Sequence, residues 1–97
     1  MADEVNVVVT QKVKPGIEAQ VEALLREMAA ETLAKDAGCL RYEWYRGAAP
    51  QTYVLIERWT DGAAVQAHLR APHMAAIFEK LGPLTAEPYT SEPLARL

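Results

Sequence analysis

Residues 39–59 read CLRYEWYRGAAPQTYVLIERW and contain two segments dense in aromatic and aliphatic side chains. The segment Gly47-Ala48-Ala49-Pro50 separates them, and its glycine and proline are typical of a turn. Aromatic and β-branched residues are enriched in strands. The stretch therefore predicts a β-hairpin with strands at 39–46 and 51–59.

The residues before this hairpin predict a strand followed by a long helix. Valines alternate along 5–13, which is the period of a strand with one buried side. Pro15-Gly16 interrupts that pattern, and Ala37-Gly38 marks the end of the following helix. Between these breaks, apolar positions recur with a period of 3.6, at Ile17, Val21, Leu24, Leu25, Met28 and Thr32.

The residues after the hairpin predict two short helices and a last strand. Thr60 or Asp61 can cap a helix over 63–70, and Pro72 can begin the next helix. The last stretch, 85–94, contains prolines that a central strand could not accept, so we expect an edge strand paired with the first. Helical spacing places four side chains of the second short helix in the core: Met74, Ile77, Phe78 and Leu81.

The element order β-α-β-β-α-β predicts an α+β, ferredoxin-like fold with an antiparallel sheet. Its 97 residues are enough for one domain, 1–97. Both faces of the third strand are apolar, with Leu55 on one side and Ile56 on the other, whereas helices can cover only one face. A second copy of the sheet would cover the other face, which predicts a homodimer. The alternative is that the apolar residues of the third strand reflect only the preference of strands for such side chains, with one face of the sheet partly exposed.

Composition and charge exclude several classes of function. Ten Lys and Arg against thirteen Asp and Glu give a net charge of −3, without a basic run that could follow a nucleic acid backbone. Residues 1–4 are acidic, unlike a signal peptide, so we expect neither secretion nor a membrane location. The single cysteine, Cys39, cannot form an internal disulfide, which favours the cytoplasm.

Several motifs resemble the antibiotic biosynthesis monooxygenase domain: Lys14-Pro15-Gly16, the run from Ala37 to Tyr42, the run from Val54 to Trp59, Ala67-His68-Leu69 and Pro72-His73-Met74. The resemblance spans residues 5–94. It implies that the ferredoxin-like subunit forms a dimeric α+β barrel, with a small-molecule pocket between sheet and helices in each subunit.

Within that family, the segment His-Leu-x-x-Pro-His-Met is most similar to small quinol monooxygenases. Val9, His68 and Phe78 stand where haem-degrading members carry Asn, Trp and a haem-ligating His, which argues against haem chemistry. The resemblance implies a cofactor-free reaction in which a base deprotonates a hydroxylated aromatic and the anion gives an electron to O₂. Two histidines without clustered acidic residues fall short of a metal-binding pattern, so no metal or organic cofactor is expected.

His68 is the predicted base, because an imidazole suits proton abstraction near neutral pH, and the alternative is a histidine packed beneath the sheet. His73 is the second catalytic candidate, with a structural role at the start of its helix as the alternative. Trp59, Tyr53 and Tyr42 are candidate aromatic walls for a planar substrate, with core packing as the alternative. We expect Glu57 to form an ion pair with Arg41 or Arg46 at the dimer interface, and acid or base catalysis is the second interpretation of this residue. Two other functions stay open: a binding module without turnover, and an isomerase of a small carbonyl compound that would use Arg70 to bind phosphate.

Overall fold

The structure contains the elements that the sequence predicts. The alternating valines form a strand, the segment with a 3.6-residue period forms a helix, and the aromatic segments form a hairpin. The computed structural model describes residues 3–97. The strands are β1 (Val5–Lys12), β2 (Cys39–Arg46), β3 (Thr52–Trp59) and β4 (Thr90–Leu94), and the helices are α1 (Glu18–Lys35), α2 (Gly62–Leu69) and α3 (Pro72–Leu81), followed by a 3₁₀ turn at Gly82–Leu84.

The four strands form one antiparallel sheet in the order β2-β3-β1-β4. Val7 pairs with Glu57 on one side and with Pro93 on the other, so β4 lies at the edge beside β1, as predicted. This edge strand is shorter than the predicted 85–94. Before Thr90, the chain meets the residue after β1 through an isolated bridge between Thr85 and Val13. The carbonyl oxygen of Glu87 then accepts a hydrogen bond from the side chain of Gln11 rather than from a strand backbone.

The helices pack on one face of the sheet, and the core lies between the two layers. Trp59 is fully buried at the end of β3 and belongs to the same core cluster as Met74 and Ile77 of α3. Phe78 is an exception to the prediction, because 39% of it remains exposed. It lies at the mouth of a cavity, so the expectation that Phe78 belongs to the core is wrong.

The opposite face of the sheet carries Val8, Val54 and Ile56, which are half-buried. Val8 pairs directly with Ile56, so these aliphatic side chains are neighbours across β1 and β3. No helix of the described chain covers this face. Between residues 3 and 97 no helix is both long enough and apolar enough to cross a membrane.

Candidate functional site

A cavity of about 130 Å³ lies between the sheet and the helices. Its apolar walls come from both layers, with Val9 and Leu55 on the sheet and Met74 on α3. Leu69, Phe78 and Tyr89 also line it and are exposed, so they mark its mouth. Besides the aromatic side chains of Tyr42, Trp44 and Tyr89, which each carry one polar group, the lining contains four polar side chains: Gln11, Glu57, His68 and Ser91. Few polar groups in a largely apolar concave site are typical of a small-molecule pocket.

His68 is the histidine that reaches this cavity. Only 2% of the residue is exposed, and its ring packs against the rings of Trp59 and Tyr42 with centroid separations of 4.7 Å and 5.3 Å. Its Nδ1 lies 2.6 Å from Oδ2 of Asp36. Within residues 3–97, the other ring nitrogen, Nε2, has no hydrogen-bond partner. His68 therefore has one nitrogen bound to a carboxylate and one available to a molecule in the cavity.

Asp36 reaches His68 because the chain turns sharply after α1. Asp36 caps that helix, with its N–H donating to the carbonyl oxygen of Thr32, and Gly38 follows at a φ of 86°. Gly38 accepts a hydrogen bond from the N–H of Thr60 at 2.9 Å, and a Cβ at position 38 would lie 2.7 Å from the Cβ of Ala64. Only glycine permits this backbone conformation and approach, which bring the end of α1 against α2.

His73 lies on the other side of Asp36 and is not part of the cavity wall. Its Nε2 is 3.1 Å from the same Oδ2 that His68 contacts. The side chain is 13% exposed, whereas that of Asp36 is 9% exposed. The structure therefore brings both predicted catalytic histidines to one carboxylate, but places only His68 where a substrate could touch it.

Asp36, His68 and His73 also form a group of potential metal ligands, whose ligand atoms lie within 4.8 Å of one another. The expectation that the histidines lack an acidic partner is therefore wrong. Two ligands of a tetrahedral zinc ion lie about 3.3 Å apart when each is about 2.0–2.1 Å from the metal. The 2.6 Å between Nδ1 and Oδ2 is instead a hydrogen-bond distance. The three side chains have the geometry of a hydrogen-bonded triad.

Glu57 lines the cavity and is held by Trp59 rather than by an arginine. The Nε1–H of Trp59 donates to Oε1 of Glu57 at 2.9 Å, and burial raises the pKa of this carboxyl above its usual value. Arg41 pairs with Glu43, and Arg46 pairs with Glu22. The predicted ion pair of Glu57 is therefore wrong. Glu57 faces the helices, whereas Arg41 lies on the opposite face of the sheet and Arg46 reaches α1.

The raised pKa of Glu57 predicts that Glu57→Gln stabilises the fold at neutral pH. Above about pH 4.3 the Glu57 carboxyl ionises in the unfolded chain, whereas in the folded chain it stays protonated to a higher pH. The free energy of unfolding of the wild type therefore falls as the pH rises through the folded-state pKa. Glutamine can accept the same bond from Trp59 without a charge. Thermal unfolding at pH 4 and pH 8 should show a higher Tm for the variant at pH 8 and a smaller gain at pH 4. The control is Glu79→Gln, at an exposed position, which should change the Tm equally little at both pH values. A lower Tm of Glu57→Gln than of the wild type at pH 8 would contradict the expectation.

The two predicted tyrosine walls occupy different places. Tyr42 lines the cavity, where its hydroxyl donates to Sδ of Met28 at 3.1 Å, and burial raises its pKa strongly. Tyr53 instead packs outside the cavity, with its hydroxyl donating to Oε2 of Glu22 at 2.8 Å. Burial, followed by this bond to a carboxylate, raises the pKa of Tyr53 to about 12. Trp59 lies beneath His68 and is not itself part of the cavity wall.

Known proteins share the sequence pattern and the fold of this chain. The profile of the antibiotic biosynthesis monooxygenase family matches residues 5–80. The chain belongs to the antibiotic biosynthesis monooxygenase family. A relative named "Putative monooxygenase Rv0793", from Mycobacterium tuberculosis, is 31% identical over 97 residues, an alignment that covers all of this chain and 95% of the relative. "Probable quinol monooxygenase YgiN" of Escherichia coli is 34% identical over 59 residues, covering 61% of this chain and 57% of that protein.

Solved structures confirm the ferredoxin-like architecture of this antibiotic biosynthesis monooxygenase domain. PA3566 from Pseudomonas aeruginosa superimposes with a TM-score of 0.88 at 26% identity, and the alignment covers 100% of this chain and 97% of that one. The structure of Rv0793 gives a TM-score of 0.86 at 29% identity, with coverages of 97% and 95%. The predicted family and fold class are therefore confirmed, and the assignment supports a monooxygenase in general terms.

The cavity of this family member contains no cationic side chain in the described part of the chain. None of its lining residues is Lys or Arg, and Arg70, the residue considered for phosphate binding, is exposed at the end of α2. A phosphate would need such a partner to offset its desolvation. The geometry thus gives no support to an isomerase of a phosphorylated compound.

Proposed function

We propose that this chain is a cofactor-independent monooxygenase of a small hydroxylated aromatic compound such as a quinol, with His68 as the base. The observation that carries this proposal is the placement of His68. It is buried in the wall of an apolar cavity, with Nδ1 on Asp36 and Nε2 free of any partner in residues 3–97. An ionised carboxylate can only accept, so Nδ1 carries the proton and Nε2 offers a lone pair.

For a hydroquinone, the proposed reaction balances without an external reductant. Nε2 of His68 takes a hydroxyl proton, and the anion passes one electron to O₂ to give a semiquinone radical and superoxide. These join through a new C–O bond, and the peroxide takes the proton back from His68. Loss of the ring C–H proton and cleavage of the O–O bond release water and leave a hydroxyquinone. The substrate supplies all four electrons that reduce O₂, and His68 ends in its starting state.

The size and charge of the cavity favour a neutral substrate with a single ring. An apolar protein cavity of about 150 Å³ holds one benzene molecule, so about 130 Å³ is suited to one ring rather than three fused rings. Glu57 contributes the acidic group of the lining, and the described lining offers no cation to an anionic substituent. The apolar part of the wall also limits contact of the reactive anion with water.

The direct test is oxygen consumption by chelator-treated protein with a panel of hydroquinones and catechols. We expect consumption that is proportional to protein concentration, absent under anaerobic conditions, unaffected by chelator, and slower for carboxylated or three-ring analogues. Activity that is lost to chelation and restored by one metal would overturn the cofactor-free mechanism. Saturable binding of a quinol without turnover would instead favour a dimeric binding module.

We also propose that the chain forms a homodimer through the sheet face that carries Val8, Val54 and Ile56. The half-buried aliphatic residues of this face support the proposal, because the helices occupy only the other side. Two-fold pairing of identical sheets would remove them from water.

The homodimer predicts different outcomes for arginine at adjacent positions of β3. Ile56→Arg places a charge on the open face, so light scattering should give folded monomers near 10.7 kDa instead of dimers near twice that mass. Leu55→Arg buries the charge in the core and should unfold the subunit. Ala30→Arg, on an exposed part of α1, is the control and should stay dimeric. A wild type that stays monomeric at micromolar concentration would contradict the proposal.

A further inference from the structure

We propose that Asp36 is the positioning residue that fixes the tautomer of His68, an inference that rests on the proposed function of His68 as the base. A neutral imidazole carries its proton on either nitrogen, and only the form protonated at Nδ1 has a lone pair at Nε2. Asp36 Oδ2 lies 2.6 Å from Nδ1 and can only accept a hydrogen bond. The Nδ1–H tautomer is therefore the one that satisfies both groups.

Asp36 is itself held in place by three elements. Its N–H donates to the carbonyl oxygen of Thr32 in α1, and Gly38 accepts a hydrogen bond from the N–H of Thr60, which lies between β3 and α2. The Nε2–H of His73, from the first turn of α3, donates to the same Oδ2 at 3.1 Å. Two donors compensate the burial of the carboxylate, whose side chain is only 9% exposed. The carboxylate therefore has little freedom to rotate away from His68.

The same contact supplies a second contribution during turnover. His68 becomes an imidazolium when it takes the substrate proton, and a carboxylate 2.6 Å away stabilises that charge where little water can do so. Asparagine at position 36 would remove the charge, and its amide could donate to Nδ1 and shift the proton to Nε2. The corresponding exchange in the Asp–His pair of a serine protease lowers kcat by about 10⁴-fold.

The tautomer can be measured without any substrate. ¹⁵N-labelled wild-type protein at pH 8 should show His68 with a protonated Nδ1 and an unprotonated Nε2 in long-range ¹H–¹⁵N correlation spectra. Asp36→Asn should shift His68 toward the Nε2–H form. The matched control is Asp61→Asn, because the side chain of Asp61 caps α2 by accepting from the N–H of Ala64 and makes no hydrogen bond to His68 in the described chain. This exchange should leave the His68 signals unchanged. A wild-type His68 protonated at Nε2, or a mixture of both tautomers, would overturn the inference even if Asp36→Asn failed to fold.

Kinetics separate this inference from the proposed function. Asp36→Asn should lower kcat by about 10²–10⁴-fold with little change in KM, and His73→Ala, which removes one of the two donors to Asp36, should lower it by less than about tenfold. A wild type that turns over quinols while Asp36→Asn keeps full activity would refute the positioning role alone. A wild type that has the Nδ1–H tautomer but consumes no oxygen would refute the proposed function and leave the Asp36–His68 assignment standing.

Discussion

Replacing His68 with alanine should lower kcat for a single-ring quinol by about 10²–10⁴-fold, the usual contribution of a general base. The nitrogen that would take the substrate proton is lost, whereas the apolar walls that bind the ring, such as Val9 and Leu55, remain. The effect should therefore fall on turnover more than on KM. Initial rates of oxygen consumption over a range of quinol concentrations measure both quantities.

His68 is buried against Trp59 and Tyr42, so its removal could also destabilise the fold. The control for His68→Ala therefore has to distinguish a loss of proton transfer from a loss of folded protein. Rates should be expressed per folded molecule, with the folded fraction taken from circular dichroism at the assay temperature. His73→Ala serves as the comparison, since it also removes an imidazole beside Asp36 but one outside the cavity wall. If His68→Ala keeps a kcat near that of the wild type, His68 is not the base, and Glu57 becomes the next candidate.

Trp59→Ala should cost about 3–5 kcal/mol of unfolding free energy, the largest stability loss we expect from a single truncation in this chain. The indole is 0% exposed and packs beneath both His68 and Tyr42. Its removal would leave a cavity and also leave Glu57 without its hydrogen-bond donor. Urea denaturation, followed by circular dichroism, measures the change.

A pair of phenylalanine exchanges tests whether the indole N–H of Trp59 matters apart from its volume. Trp59→Phe removes the donor to Glu57 and should be clearly destabilising. Trp44→Phe is the matched exchange, because Trp44 lines the cavity and its Nε1 is buried without a partner in residues 3–97. It loses the same volume but no hydrogen bond, so it should be less destabilising than Trp59→Phe. Equal losses in the two variants, or a cost below about 1 kcal/mol for Trp59→Ala, would contradict this description of the core.

The fold could be predicted from the sequence because its signals are local. Strand alternation in 5–13, the helical period from Ile17 and the turn at 47–50 each depend on neighbouring residues, and the element order then leaves few topologies. The start of β4 was missed, since the prediction extended the strand back to Thr85. Where a proline-containing edge segment begins to pair depends on the geometry of β1 beside it, which no local pattern encodes.

The site could be predicted only in part, because its contacts join distant parts of the chain. His68 follows from the helical period and the family motif, and the structure places it in the cavity wall. No pattern in the sequence indicates a role for Asp36. It lies 32 positions from His68 and reaches it because Gly38 packs closely on α2. The sequence predicts an arginine partner for Glu57 because a carboxylate in the middle of a strand must be paired, yet the observed partner is the indole N–H of Trp59, two residues along the same strand.

The incorporation of ¹⁸O from ¹⁸O₂ distinguishes oxygen transfer to the ring from simple oxidation of the quinol. Chelator-treated protein would convert a single-ring hydroquinone under ¹⁸O₂, and immediate reduction of the product to the triol would limit exchange with water before mass spectrometry. We expect a triol that carries one ¹⁸O atom, formed at a rate that is proportional to protein concentration and about 10²–10⁴-fold lower in His68→Ala. An unlabelled quinone with labelled hydrogen peroxide, or no product beyond the rate without protein, would contradict this expectation.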